Sequence, residues 1–489
     1  MDKISKSQFI SGAFWKVSEN LVAKGVSFII SLVLARLLSP DAYGIIAITN
    51  TFTALSDVLI EGGFSTTLIR KKEVDKCDYN CVFIASFSIA TVLYFVFFWM
   101  APFVASFYES ELLCPVLRVI GLVLFVQAFS STRNAVVQRQ MKFKLLFYCN
   151  MIACFISGVL GIIVAFAGFG VWALVIQQLS QQVIVTFLLF RCLRWNIEWQ
   201  FQWSKFKQII QFSIGVVGAS LLNYLGTSIY NLIIGKKYSV TDLGYSDKGA
   251  QMPMQVSLYT FGAMSSVLLS TLSSYQDCLE DFKRILRKVV RMTAYLVFPM
   301  MIGMASISEE LIIVLLTDKW LPSLCIMQCA CLYYIATPFM LVNIQVFYAL
   351  GHGFLRVKTE LIRTILLIVS LVIFSFFLGF NISELAFVSA IIAVVMAIVT
   401  FFEVKKIIPY AFVECAQDIL KPLVSALVMG GIVFFVNKLL QDNAEMKVFL
   451  RMIIDISIGV IFYCFMSRIL KIDSYNEIVN IIKSRQLNG

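Results

Sequence analysis

Two apolar stretches near the N-terminus carry charged and amide side chains at helical spacing. In residues 15–39, WKVSENLVAKGVSFIISLVLARLLS, Lys16, Asn20, Lys24, Ser27 and Ser31 fall within an arc of about 80° at 100° per residue. Val17, Leu21, Val22, Phe28, Ile29 and Leu32 cover the rest. In residues 42–63, Asn50, Thr53, Asp57 and Glu61 occupy a similar arc. Ammonium groups hold phosphate, amides hold hydroxyls, and carboxylates pair or titrate. A lysine near a bilayer centre costs about 2.5–3.5 kcal/mol on insertion scales, so both stripes are expected to face a wet cavity or partner helices. Two roles fit: ion pairing of Lys16 and Lys24 with Asp57 and Glu61, or a polar substrate pathway.

Further candidates lie along the chain. Arg118 sits near the outer end of its stretch, where snorkelling and substrate contact are both compatible. Gln178 and Gln182 share one helical face and Gln177 and Gln181 the next. They suit interhelical hydrogen bonds or sugar hydroxyls equally. Farther on come Asn223, Tyr224, Tyr230 and Asn231, then Lys248, Gln251 and Gln255. Cys325, Cys329 and Cys331 have no histidine or carboxylate nearby, and the only histidine, His352, lacks a partner acid at useful spacing. There is no phosphate-binding glycine loop, no nucleophile elbow and no metal-ligand pair. Neither catalysis nor a cofactor or metal is expected, and active transport would need an ion gradient or the substrate's own gradient.

The elements that must position these residues are read from composition. The 489 residues are 60% hydrophobic and 14% charged, against about 25% charged in soluble proteins, which marks a polytopic membrane protein. Fourteen spans are expected, near 12–37, 42–63, 79–106, 112–133, 145–167, 170–191, 208–234, 249–275, 288–308, 323–349, 358–379, 383–403, 419–440 and 448–468. The first lacks a small-residue cleavage site and reads as a span rather than a signal peptide. The net charge of +11 is spread over alternate loops, among them Arg70–Lys72, Arg139–Lys144, Lys283–Lys288 and Lys405–Lys406. The intervening loops hold mainly acids. That asymmetry predicts both termini in the cytoplasm and argues against nucleic acid as the partner of the basic excess.

Residues 194–206, RWNIEWQFQWSKF, alternate aromatic and apolar with polar residues, the pattern of an extended interfacial strap. Beyond it the chain echoes itself at an offset of 200. Leu21, Ile29, Leu32, Ser39 and Gly44 recur as Leu221, Ile229, Leu232, Ser239 and Gly244, with Arg36 replaced by Lys236. Six spans separate the copies, so the repeats share one orientation about an axis along the membrane normal. The expected fold is all-α: an N-terminal lobe of spans 1–6 (residues 1–206), a C-terminal lobe of spans 7–12 (207–406), and accessory spans 13–14 with a tail (407–489). The accessory pair is a candidate groove for a lipid tail. Pro253, Pro299 and Pro338 lie within spans as kinks or hinges.

Three segments carry a family resemblance: LARLLSPDAYGIIA (34–47), RQMKFKLL (139–146) and GFGVWALVIQQL (168–179). In order and spacing they resemble bacterial polysaccharide transporters, the O-antigen and capsule flippases of the multidrug/oligosaccharidyl-lipid/polysaccharide exporter superfamily. The resemblance implies paired six-helix bundles in the bacterial inner membrane and alternating access. It also implies transfer of an undecaprenyl-diphosphate-linked oligosaccharide from the cytoplasmic to the periplasmic leaflet. The partners it implies are that substrate, membrane lipid, a coupling proton or sodium ion, and a polysaccharide polymerase. A drug or cation antiporter of the same superfamily is the alternative; it should favour carboxylates over Lys16 and Lys24. No binding residue is transferred by the resemblance.

Overall fold

The computed structural model describes residues 22–60, 64, 67–68, 74–140, 142–193, 202–441, 447–477 and 479–480. Lys16, Asn20 and Glu61, and most of the 194–206 strap, lie outside them. The chain divides into two compact units, residues 1–247 and 248–489.

The first unit contains α1 (Lys24–Leu37), α2 (Pro40–Ile60), α3 (Lys76–Phe107), α4 (Leu113–Ile120), α5 (Val123–Arg139), α6 (Phe143–Phe166), α7 (Trp172–Cys192) and α8 (Trp203–Lys237). It ends within α9 (Val240–Ser274). The second unit adds α10 (Leu279–Ser306), α11 (Ser308–Leu315), a 3-10 turn (Asp318–Ser323), α12 (Leu324–Ala349) and α13 (Gly353–Val372). It continues with a π-helical segment (Ile373–Phe377), α14 (Ile382–Ile407), α15 (Phe412–Gln441) and α16 (Val448–Ile469). Eleven segments of the described residues are long and apolar enough to cross a membrane. Helices α8 and α9, 35 residues each, are about 50 Å long at 1.5 Å per residue, enough to cross with length to spare.

Local sequence sets the ends of these helices. Reciprocal capping boxes start α3 (Asp75 with Asp78) and α14 (Asn381 with Glu384). Between α6 and α7, Gly168 and Gly170 take φ of 80° and 56°, so the turn needs residues without Cβ. Several boundaries differ from the sequence reading. Pro40 is the first residue of α2, as its fixed φ favours, which leaves only Leu38 and Ser39 as the turn. The expected fourth span is broken at Gly121 and Leu122 into α4 and α5. Helix α13 starts at Gly353, five residues before the expected span at 358, and so takes in Arg356. Arg133, the last residue of the expected fourth span, is fully buried on α5, its guanidinium carbon 4.7 Å from the Phe190 ring centroid.

The lobe boundary expected at residue 206 follows the repeat, whereas the first compact unit continues through α8, because α8 packs along α2. The Tyr108 hydroxyl at the end of α3 donates to the Leu232 carbonyl (3.1 Å), and Lys236 pairs with Glu109 (3.1 Å). The first turns of α2 and α9 then cross backbone to backbone. A Cβ on Gly44 would lie 1.8 Å from the Val240 carbonyl oxygen, and one on Gly244 2.1 Å from the Pro40 carbonyl oxygen. Under the offset of 200, residue 40 corresponds to 240 and 44 to 244, so these contacts are reciprocal. Thr241 also donates a hydrogen bond to its equivalent, Asp41.

In the second unit, α15 docks on α10. Ser306 donates to the Gly430 carbonyl (3.2 Å), and a Cβ at Gly430 would meet Ile302 at 2.5 Å. At the other end of this seam Asp418, nearly fully buried, accepts two hydrogen bonds from Arg287 (2.8 and 2.9 Å). It accepts others from Arg291 (2.7 Å) and from the Tyr410 hydroxyl (2.9 Å). Arg291 also reaches Asp473 (2.8 Å), which ties the segment after α16 to the same cluster.

Candidate functional site

Helix α2 carries Asp41, Asn50, Asp57 and a run of hydroxyls, and most of those hydroxyls are spent on its own backbone. Thr49, Thr51, Thr53 and Ser56 each donate to a carbonyl three or four residues earlier. Asn50 differs: it is exposed, and its Oδ1 accepts a hydrogen bond from Gln178 Nε2 of α7 at 3.1 Å. Two of the candidates thus meet across helices 128 residues apart in sequence. The neighbouring glutamine has another task. Gln177 packs on α6, where a Cβ at Gly161 would lie 3.0 Å from Gln177 Cβ. Gln182, one turn beyond Gln178, is half-buried. Beyond the bond it already makes, an amide pair of this kind has three N–H donors and three acceptor lone pairs for a polyhydroxylated ligand.

Lys24 opens α1 and is exposed. Among the described residues no ion pair joins it to Asp57. Asp57 is half-buried on α2, near Tyr224 of α8. Arg118 is placed differently. Its guanidinium lies 4.2 Å from the Phe98 ring centroid and its Nε donates to the Phe98 carbonyl (3.4 Å), so its partner is α3.

In the second unit, Lys248 is buried and donates to Gln251 Oε1 at 2.7 Å, within one turn of α9. Sequence reading passed over a second polar cluster there. Glu360 of α13 pairs with Arg356 (2.6 Å) and with Arg363, and Arg363 also bonds Tyr333 of α12. Arg363 is nearly buried, ten residues into its helix, about 15 Å along the axis. The i,i+3 and i,i+4 spacing of Arg356, Glu360 and Arg363 was the available signal, visible once the stretch is taken as helical.

The second unit also holds an apolar cavity of about 440 Å³ between α10, α15 and α16. Pro299, Gly303, Met429, Val433 and Gly459 are in its wall, and Asp455 is its single carboxylate. Its lining suits a hydrocarbon chain rather than a sugar.

This helical framework is found in solved transporters. A lipid II flippase, MurJ, in an inward closed conformation superposes with TM-score 0.78 over 94% of this chain and 99% of its own, at 16% identity. An inward-facing multidrug resistance transporter of the MATE family superposes with TM-score 0.63 over 78% of this chain and 94% of its own, also at 16% identity. At such identity the likeness establishes the fold alone. By sequence, the chain is 22% identical to the teichuronic acid biosynthesis protein TuaB of Bacillus subtilis (strain 168) over 95% of this chain and 96% of that protein. It is 24% identical to the succinoglycan biosynthesis transport protein ExoT of Rhizobium meliloti (strain 1021) over 63% of this chain. That match spans 62% of the relative, less than two thirds of its length. The family model described as "Polysaccharide biosynthesis protein" matches residues 33–325, more than half of the sequence. The chain therefore belongs to the polysaccharide biosynthesis protein family, as an all-helical, multi-span membrane protein.

Proposed function

We propose that the protein is a flippase. It moves an undecaprenyl-diphosphate-linked oligosaccharide from the cytoplasmic to the periplasmic leaflet of the bacterial inner membrane, with both termini in the cytoplasm. The observation that carries this reading is the Asn50–Gln178 pair, amides meeting across two apolar helices where hydroxyl-rich ligands would be held. Lys24, exposed at the start of α1, supplies the cation a diphosphate requires, and Lys16, eight residues earlier in the sequence, is its proposed companion. Asn20, Asp57, Glu61, Arg118, Gln182 and Lys248 complete the proposed polar set. The apolar cavity between α10, α15 and α16 would take part of the prenyl chain. The glycan would leave to a polysaccharide polymerase.

The lobes, residues 1–206 and 207–406, would rock against each other, exposing the polar set to each leaflet in turn. The test is translocation of a fluorescent lipid-linked oligosaccharide in proteoliposomes, with complementation of glycan display in a flippase-null strain. Lys24→Ala, inserted at normal levels, should lose display, and Lys24→Arg should retain part of it, because a phosphate accepts guanidinium. Full display with Lys24→Ala removes that residue from the mechanism. Drug efflux without glycan transfer would favour the cation antiporter instead.

A further inference from the structure

The carboxylate in the wall of the apolar cavity stands in surroundings whose charges do not balance. Asp455 of α16 is fully buried, and its Oδ2 accepts a hydrogen bond from Asn437 Nδ2 of α15 at 2.7 Å. Its Oδ1 has no hydrogen-bond partner among the described residues. The charged groups that face it are Glu310 of α11 and Arg451 one turn away on α16. Arg451 is taken by Glu310, nitrogen to oxygen at 2.9 Å, and Glu310 is itself buried. Two buried acids thus share one guanidinium. The other polar groups around the cavity do not redress this. The Tyr463 hydroxyl donates to the Tyr295 carbonyl at 2.9 Å, and Cys464 is a thiol.

An ionised Asp455 would therefore bring a charge without a counter-ion into a helix bundle, the situation that makes intramembrane acids costly and usually functional. A metal cation would need several oxygen ligands around it, which apolar walls do not supply. A proton needs none. We propose that Asp455 is a proton-binding site, loaded through the apolar cavity and exchanged during transport. Its use in transport rests on the flippase reading, whereas its occupancy by a proton does not.

The probe is dicyclohexylcarbodiimide, an apolar reagent that fits a cavity of about 440 Å³ and reacts with protonated acids. The acid's proton passes to a carbodiimide nitrogen and the carboxylate oxygen bonds to the central carbon. The O-acylisourea then rearranges to a stable N-acylurea that mass spectrometry reads on the peptide. In the full-length wild-type chain in nanodiscs, Asp455 should be modified and Glu310 spared, with modification falling as pH rises. An unmodified Asp455 across the pH range, or equal modification of Glu310, overturns the proposal. In proteoliposomes, Asp455→Asn should translocate with a flattened pH profile, and a wild-type profile in this variant overturns the exchange. If wild-type protein translocates no lipid-linked oligosaccharide while Asp455 is labelled, the flippase reading fails and the proton site stands.

Discussion

A methyl group at Gly44 tests the crossing of α2 and α9 most directly. Its ideal position lies 1.8 Å from the Val240 carbonyl oxygen and 2.7 Å from that carbonyl's carbon. Carbon and carbonyl oxygen rest at about 3.3 Å or more, so the helices would have to part by roughly 1.5 Å. The obstructing atoms are backbone, and no rotamer change relieves them. An overpacked core of this kind costs about 1–3 kcal/mol. Gly244→Ala meets the Pro40 carbonyl oxygen at 2.1 Å and should cost a similar amount. Because one displacement relieves both clashes, the double variant should cost clearly less than the sum of the two. The control is Gly431→Ala, where a Cβ meets nothing within 4 Å. There the gain in helix propensity, about 0.8–1 kcal/mol, should leave the protein at or above wild-type stability. The assay is thermal unfolding of detergent-purified protein followed by size exclusion, with membrane levels measured in parallel. Wild-type melting for Gly44→Ala, or strict additivity in the double variant, would refute the shared crossing.

Asp418→Asn should destabilise by about 1–3 kcal/mol, since it weakens charged hydrogen bonds to Arg287 and Arg291 while Glu414 and Asp473 still pair with them, and the fall should be visible in the same melting assay. By contrast Lys288→Ala, which breaks an exposed pair with Glu477, should change stability by no more than about 1 kcal/mol. Asn50→Ala and Gln178→Ala should each reduce oligosaccharide translocation severalfold while shifting stability by only about 0.6 kcal/mol, measured by a double-mutant cycle on both readouts. Single cysteines at Lys142 and Lys283 should be shielded from a membrane-impermeant thiol reagent applied to the periplasm, and those at Glu111 and Asp442 should react; the reverse pattern would invert the topology.

The helical, membrane-spanning character of the chain was legible because apolar runs of twenty or more residues have few other uses. Two glycines singled out by the offset of 200 prove to have a steric role. Gly44 and Gly244 are identical at the offset of 200, and each stands where any Cβ would strike the other copy's backbone. Asn50 and Gln178 were each recognisable as polar residues in apolar helices, but their pairing was not, since nothing local encodes a contact over 128 residues. The Glu360–Arg363 pair lies inside the expected 358–379 span and was passed over there as part of an apolar run, and only Arg356 needed the earlier helix start at Gly353. Asp455 and Arg451 were passed over inside an otherwise apolar run, where periodicity registers only the apolar face.

The seam between α10 and α15 also has a consequence in the order of synthesis. Arg287 and Asp418 are 131 residues apart, so at about 5–20 residues per second the arginine emerges roughly 7–26 s before its carboxylate. During that interval the basic end of α10 must rest in headgroups or water, and Gly430 is not yet available to receive Ser306. Assembly of the second unit thus waits for its last spans. A ribosome stalled in the 420s would leave an inserted but unclosed bundle, and membrane proteases rather than transport assays would be the first to register a defect in α15.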